Sequence, residues 1–221
     1  MEDIQRAYLP AAGRHWALPF YDPLVKLIGM DTTRRELLAQ ADVQGNHRVL
    51  DIGCGTGTFA TLLKRLHPGS AVVGLDPDPK ALARGRRKAE RAAVSVQFDE
   101  GFSDELPYPD ASFDRAFSSF MLHHLGADER LKTLSEVSRV LRPAGSFHMV
   151  DFSRPEAHAK SSLMRLLHSS HRLEGNSEDQ ILTELARAGF VHPKKVMEGS
   201  ILLGLRIAYY QASVAPPEAA F

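Results

Sequence analysis

The chain has 221 residues, 43% of them hydrophobic and 24% charged, enough for one globular domain with a substantial core. Lysine plus arginine and aspartate plus glutamate both number 27, so the formal net charge is zero and gives no general electrostatic reason to bind nucleic acid. No apolar stretch approaches the roughly 20 residues of a membrane span, the N-terminus lacks a signal-peptide layout, and the single cysteine, Cys54, excludes an internal disulfide and a multi-cysteine metal site; cytoplasmic location is the default expectation.

Residues 1–30 read as irregular, with Pro10, Pro19 and Pro23 around the aromatic residues Trp16, Phe20 and Tyr21. Residues 31–42 read as a helix with Asp31 or Thr32 at its N-cap. A regular alternation then begins. Arg48–Ile52 is an apolar strand and Thr58–Leu66 a helix stopped by Pro68-Gly69. Ala71–Asp76 is a second strand, Pro79–Ala93 a charged helix, and Val94–Phe98 alternates as a third strand. Phe113–Ser119 is a fourth. Ala127–Leu141 carries Leu131, Leu134, Val137 and Val140 on one face of a helix. Pro143-Ala144-Gly145 turns into a fifth strand, Ser146–Phe152. Ser177–Ala188 reads as a helix capped by Ser177 with Gln180 three residues on, and ended by Gly189. One strand starts around Phe190–Met197, and Ile201–Tyr210 is the last; the two predict an antiparallel hairpin at the sheet edge. This order predicts an α/β fold with a mostly parallel sheet and helices on both faces. The loops at the carboxyl ends of its strands share one crevice.

The chemistry is concentrated at residues 51–57, Asp51-Ile52-Gly53-Cys54-Gly55-Thr56-Gly57. An apolar strand ends on an acid, and glycines at alternate positions open the turn into the next helix, where a ligand can lie against the backbone. The spacing is not the dinucleotide G-x-G-x-x-G, because Thr58 follows Gly57, and no lysine follows the glycines as a P-loop requires. Asp51 suits a nucleoside ligand that carries a positive group. Asp76, at the end of the second strand, falls near the spacing at which an acid accepts hydrogen bonds from a ribose, with Pro77 beside it. Asp78 reads as a helix cap. Cys54 reads as a small filler in the loop.

The D-x-G-x-G-x-G form resembles motif I of the class I S-adenosylmethionine-dependent methyltransferases. Gly101–Asp114 resembles the G-D-A-x-x-L-P-F-P-D-x-S-F-D stretch of the small-molecule group related to ubiquinone/menaquinone C-methyltransferases. Glu136-Val137-Ser138-Arg139-Val140-Leu141-Arg142-Pro143-Ala144-Gly145 is similar to that group's E-x-x-R-V-L-K-P-G-G, an architectural segment. The resemblance covers about residues 46–152. It implies a Rossmann-like, doubly wound, seven-stranded sheet with an antiparallel C-terminal edge strand. It also implies S-adenosylmethionine as methyl donor and S-adenosylhomocysteine as product. Where the family places an acid near the adenine, this chain has Phe102, so ring packing by Phe102 and polar contact from Ser103 or Asp104 are expected instead. Ser118 and Ser119, at the end of the fourth strand, complete the implied cofactor set.

The acceptor side is less defined. His123 and His124 are candidate proton acceptors; the alternative is that one ring packs beneath the cofactor and the other caps a helix, and no partner residues at metal-ligand spacing accompany them. Trp16, Phe20 and Tyr21 are expected as a lid, and His168 and His171 as substrate contacts. The chain accordingly divides into 1–42 (lid and helices), 46–152 (cofactor core), 153–176 (substrate cap) and 177–215 (C-terminal helix and edge hairpin). The expected acceptor is a small, partly apolar molecule methylated at O, N, C or S. A protein or tRNA acceptor, and a non-catalytic protein that binds S-adenosylmethionine or S-adenosylhomocysteine, are the alternatives. The basic run Arg84, Arg86, Arg87, Lys88 and Arg91 reads as a solvated helix face, no metal is expected, and the state is monomer or homodimer.

Overall fold

The computed structural model describes residues 30–153, 177–201 and 205–217. The expected lid residues Trp16, Phe20 and Tyr21, and His168 and His171 of the expected cap, lie outside them.

Helix α1 spans Met30–Ala39, and β1, Arg48–Ile52, follows it. Then come α2 (Thr58–Leu66), β2 (Ala71–Asp76), α3 (Pro79–Arg91), β3 (Gln97–Glu100), β4 (Phe113–Ser119), a 3-10 turn at Leu122–His124, α4 (Ala127–Val140) and β5 (Leu141–Phe152). Helix α5 (Glu178–Arg187), β6 (Val191–Ile201) and β7 (Leu205–Ser213) complete the described chain. β1 and β2 are almost wholly buried, which is why they read as near-continuous apolar runs rather than as alternations.

The seven strands form one sheet in the order β3-β2-β1-β4-β5-β7-β6. β1 pairs in parallel with β2 on one side and β4 on the other, so the strand order reverses at β1. Such a switch point opens a crevice at the carboxyl ends of the strands. β7 runs antiparallel to both β5 and β6, and so the antiparallel strand lies one place in from the edge, with β6 outside it. Two apolar layers hold the helices to the sheet. Leu37 and Leu38 of α1, Phe59 and Leu63 of α2 and Leu82 of α3 belong to one; Leu134 and Val137 of α4 and Ile181 and Leu185 of α5 belong to the other.

Several expected boundaries move, each for a local reason. α1 starts at Met30, which puts Asp31 and Thr32 inside its first turn rather than at the cap. β3 pairs over Gln97–Glu100, not Val94–Phe98. Val94 and Val96 instead pack on the core from the connection after α3, so their alternation reflects burial without pairing. Pro143-Ala144-Gly145 lies inside β5, as a bulge between the pairs Phe113–Leu141 and Arg115–Ser146, with Ala144 at φ 63°. Ser177 occupies the N-cap of α5 but its side chain accepts no capping bond. Gln180 donates instead to Glu184 Oε1 at 3.0 Å.

Candidate active site

The glycine turn after β1 is left-handed at each alternate residue: φ is 65° at Gly53, 52° at Gly55 and 67° at Gly57. A Cβ on Gly53 would lie 2.3 Å from Cγ of Met121, and one on Gly57 would lie 2.7 Å from the Phe98 ring. The turn therefore needs glycine for its backbone and its neighbours, before any ligand is considered. It forms the floor of a cavity of about 1110 Å³ of empty space, open to solvent. Asp51, Gly53, Cys54, Gly55 and Thr56 line it, with Asp76 and Pro77 from the end of β2. Gly57 does not; it sits at the N-cap of α2.

Asp76 is the tie between the two βα turns. Its Oδ2 accepts from the Gly55 N–H at 2.8 Å and its Oδ1 from the Asp78 N–H at 2.9 Å. Each oxygen keeps a second lone pair for a ligand. Burial raises its pKa to about 6, against the two backbone bonds. Asp78 accepts from the Lys80 N–H and caps α3. Asp51 is 1% exposed. Its pKa is pushed up to about 7, chiefly by burial, while Arg34 and the backbone N–H of Ala60, in the first turn of α2, oppose the rise. Its Oδ2 has no hydrogen-bond partner among the described residues. Burial likewise pushes the Cys54 thiol up, which removes it as a nucleophile and agrees with its role as filler.

The cavity lining also contains a cation that the sequence reasoning missed. Arg34, on α1, is 7% exposed and lines the cavity, and its Nε and Nη1 have no hydrogen-bond partner among the described residues. Asp31 stands 3.5 Å from Nη1. The signal was readable: Arg34 lies on the same face as the buried Met30, Leu37 and Leu38, where a charge is costly unless something pairs with it. Phe59, Glu129 and Thr133 also line the cavity without having been singled out.

Phe102, Ser103 and Asp104 border the cavity as expected. Ser103 Oγ lies 2.9 Å from Thr133 Oγ1 and ties this loop to α4. The following segment is fixed by Glu136, which accepts from the Leu106 N–H at 2.8 Å, and by Arg139, which donates to the carbonyls of Leu106 and Tyr108. The architectural reading of Glu136–Gly145 thus has a physical content: its Glu and Arg shape the loop that borders the site. At the end of β4 the two serines part company. Ser119 lines the cavity, with its Oγ unpartnered among the described residues, whereas Ser118 is 1% exposed and does not line it. Successive strand residues point to opposite faces, so Ser119 rather than Ser118 presents its side chain to the cavity.

The two histidines also separate. His124 lines the cavity and His123 does not. His123 Nδ1 lies 2.6 Å from Oδ1 of Asp151, and its backbone N–H donates to Oδ2 of the same residue at 3.1 Å. Its ring packs 4.0 Å from that of His124 and edge-on to Phe152. Neither residue caps an α-helix; both belong to the 3-10 turn between β4 and α4.

A doubly wound sheet whose switch point carries this loop and this pair of acids defines a nucleoside-cofactor domain. Residues 49–145 match the model of the methyltransferase-domain family. Over 151 residues the chain is 35% identical to demethylmenaquinone methyltransferase of Deinococcus radiodurans, which covers 67% of this chain and 62% of that one. It is 39% identical over 140 residues to the enzyme of the same name from Thermus thermophilus, covering 62% and 63%. In both, the matched region is under two thirds of the relative's own length. A crystal structure of an S-adenosylmethionine-dependent methyltransferase from Aquifex aeolicus shares the fold, with a TM-score of 0.64 over 86% of this chain and 92% of that one, at 20% identity. The chain carries a class I S-adenosylmethionine-dependent methyltransferase domain.

Proposed function

We propose that the chain transfers the methyl group of S-adenosylmethionine to a small, partly apolar acceptor, a demethylated naphthoquinol of the kind named for its relatives. One observation carries the cofactor part. Two buried, opposite charges with unpartnered atoms among the described residues, Asp51 and Arg34, line one cavity with Asp76. Their chemistry matches an amino-acid zwitterion, ammonium toward Asp51 and carboxylate toward Arg34, joined to a ribose at Asp76. The purine edge then falls to Phe102, Ser103 and Asp104. The sulfonium, when bound, supplies an electrophilic methyl carbon.

The acceptor part rests on the apolar lining, where Phe59, Phe120, Met121 and Leu125 offer apolar and aromatic surface. Such a wall holds a flat ring, excludes water and orients the attacking atom, which is where most of the rate in a displacement of this kind arises. No helix among the described residues is long and apolar enough to cross a membrane.

The test is incubation of the full chain with methyl-labelled S-adenosylmethionine and short-chain demethylmenaquinol, followed by extraction and mass analysis. Label on the naphthoquinone ring is expected. Label absent from the quinone but present in another small molecule of a metabolite mixture would move the acceptor class. Cofactor binding with no methyl transfer to any member would contradict the enzyme reading.

A further inference from the structure

Asp151, at the end of β5, has no place in the cofactor set, yet both its oxygens are engaged. It is 1% exposed. One oxygen accepts from the Phe152 N–H at 2.7 Å and lies 2.6 Å from His123 Nδ1; the other accepts from the His123 N–H. An ionised carboxylate only accepts, so this arrangement puts a proton on Nδ1 of His123. The same carboxylate thereby fixes the backbone of the 3-10 turn and the plane of the His123 ring. Phe152 blocks the edge of that ring at 5.0 Å between centroids, and Phe152 is itself packed against Phe120 of the cavity wall. The ring that rests on His123 is His124, the member of the turn that faces the cavity.

We propose that Asp151 and His123 are positioning residues that hold His124 as the proton acceptor of the methyl-acceptor subsite. The inference rests on the methyltransferase reading and deepens it: the acceptor is a molecule that must lose a proton as it gains the methyl group, a hydroxyl or a ring carbon activated by one, rather than a tertiary amine or a thioether. In the step, the acceptor's O–H bond breaks and its proton passes to a ring nitrogen of His124. An electron pair of the resulting oxyanion forms the bond to the methyl carbon, from oxygen itself or from the ring carbon beside it, whose hydrogen then moves to the oxygen as the ring regains aromaticity, and the sulfur retains the pair of the broken C–S bond. Atoms and charge balance without another reactant, since the sulfonium charge is exchanged for an imidazolium. Among the described residues, the ionisable groups that share the cavity with His124 are Arg34 of α1, Asp51 of β1, Cys54 of the glycine turn, Asp76 of β2, Asp104 of the loop after β3 and Glu129 of α4; behind it stand His123 and Asp151.

The experiment is nitrogen-15 NMR of the full chain labelled at histidine and saturated with S-adenosylhomocysteine, in native and Asp151→Asn forms. Native His123 is expected to carry its proton on Nδ1. Asp151→Asn should shift His123 toward the other tautomer and displace the His124 signals, while S-adenosylhomocysteine affinity stays within about twofold. A native His123 protonated on Nε2, or unchanged His123 and His124 signals in the variant, would overturn the proposal. With demethylmenaquinol as acceptor, Asp151→Asn should lower kcat about 10- to 100-fold with the acceptor KM within about threefold, as for the loss of an orienting partner. His124→Asn should lower kcat about 10²- to 10³-fold and remove the acid limb of its pH profile. Retention of that limb in His124→Asn would also overturn the proposal. If native enzyme does not methylate demethylmenaquinol, the substrate reading fails, and the NMR result still decides this one.

Discussion

The two walls of the cavity are built by different means. The floor is a single run of chain, Asp51–Gly57, locked by a carboxylate from the next strand: Asp76 bonds the Gly55 and Asp78 backbone at once. Its shape is a backbone shape, and few side chains decide it. The rest of the lining is assembled in part from α1, the 3-10 turn and α4, whose contributions (Arg34, His124, Glu129 and Thr133) are side chains brought together by tertiary packing. A floor of this kind recognises a constant ligand, and a wall of this kind can change residue by residue without disturbing the sheet. In the proposed reading, methyl-donor binding falls to the floor together with Arg34, and acceptor choice to His124 and the apolar lining around it.

The largest expected effect concerns the buried acid of the floor. Asp51 has its pKa raised from 3.8 to about 7 by burial. Between those values the folded chain holds a proton that the unfolded chain releases, so stability contributed by this group falls as pH rises through the window. Asp51→Asn should therefore become progressively more stable than the native chain from pH 4 to pH 8, by up to a few kcal/mol, in urea unfolding without ligand. A difference independent of pH would remove Asp51 as a buried titrating group. His148, whose pKa burial lowers to about 3, works the other way: its contribution is lost as pH falls from about 6.5, and it cancels in the native-minus-variant difference.

Next is the tie itself. Asp76→Ala should weaken S-adenosylhomocysteine binding about 100-fold, through loss of the ligand contact and loosening of Gly55, with the circular dichroism of the fold retained; unchanged affinity would take Asp76 out of the site. Elsewhere in the lining, Arg34→Met should weaken the same binding about tenfold, the scale of one charge-assisted contact, and a change under twofold would mean that the guanidinium does not meet the ligand. The smallest effect sharpens the boundary of the site. Ser118→Ala removes a buried hydroxyl that has no hydrogen-bond partner among the described residues and should leave affinity within about twofold and stability equal or slightly higher.

The same contrast explains what the sequence disclosed. β1, α2, β2 and β4 keep their expected limits, and the floor was legible because its acid and glycines are contiguous. Asp76 was legible because it lies one strand away at a characteristic interval. The wall was not, because no local spacing relates Arg34 to Asp51 or Asp151 to His123; those pairs exist only once α1 and β5 are packed. Even so, Arg34 left a trace as a charge on the buried face of an amphipathic helix. Which of Ser118 and Ser119 presents its side chain to the cavity was not legible, because adjacent strand residues face opposite ways and a motif read as a string ignores that alternation. Val94 and Val96 misled in the converse sense, since their alternation served burial in a connection rather than pairing in a sheet.

Isothermal titration of the full chain with S-adenosylhomocysteine, and separately with NAD, tests the central claim most directly, because the glycine spacing, Asp51, Arg34 and Asp76 together specify a zwitterionic nucleoside and no dinucleotide. Saturable one-to-one binding of S-adenosylhomocysteine, with no heat from NAD, is the expected result. Binding of NAD in the absence of S-adenosylhomocysteine binding would contradict it.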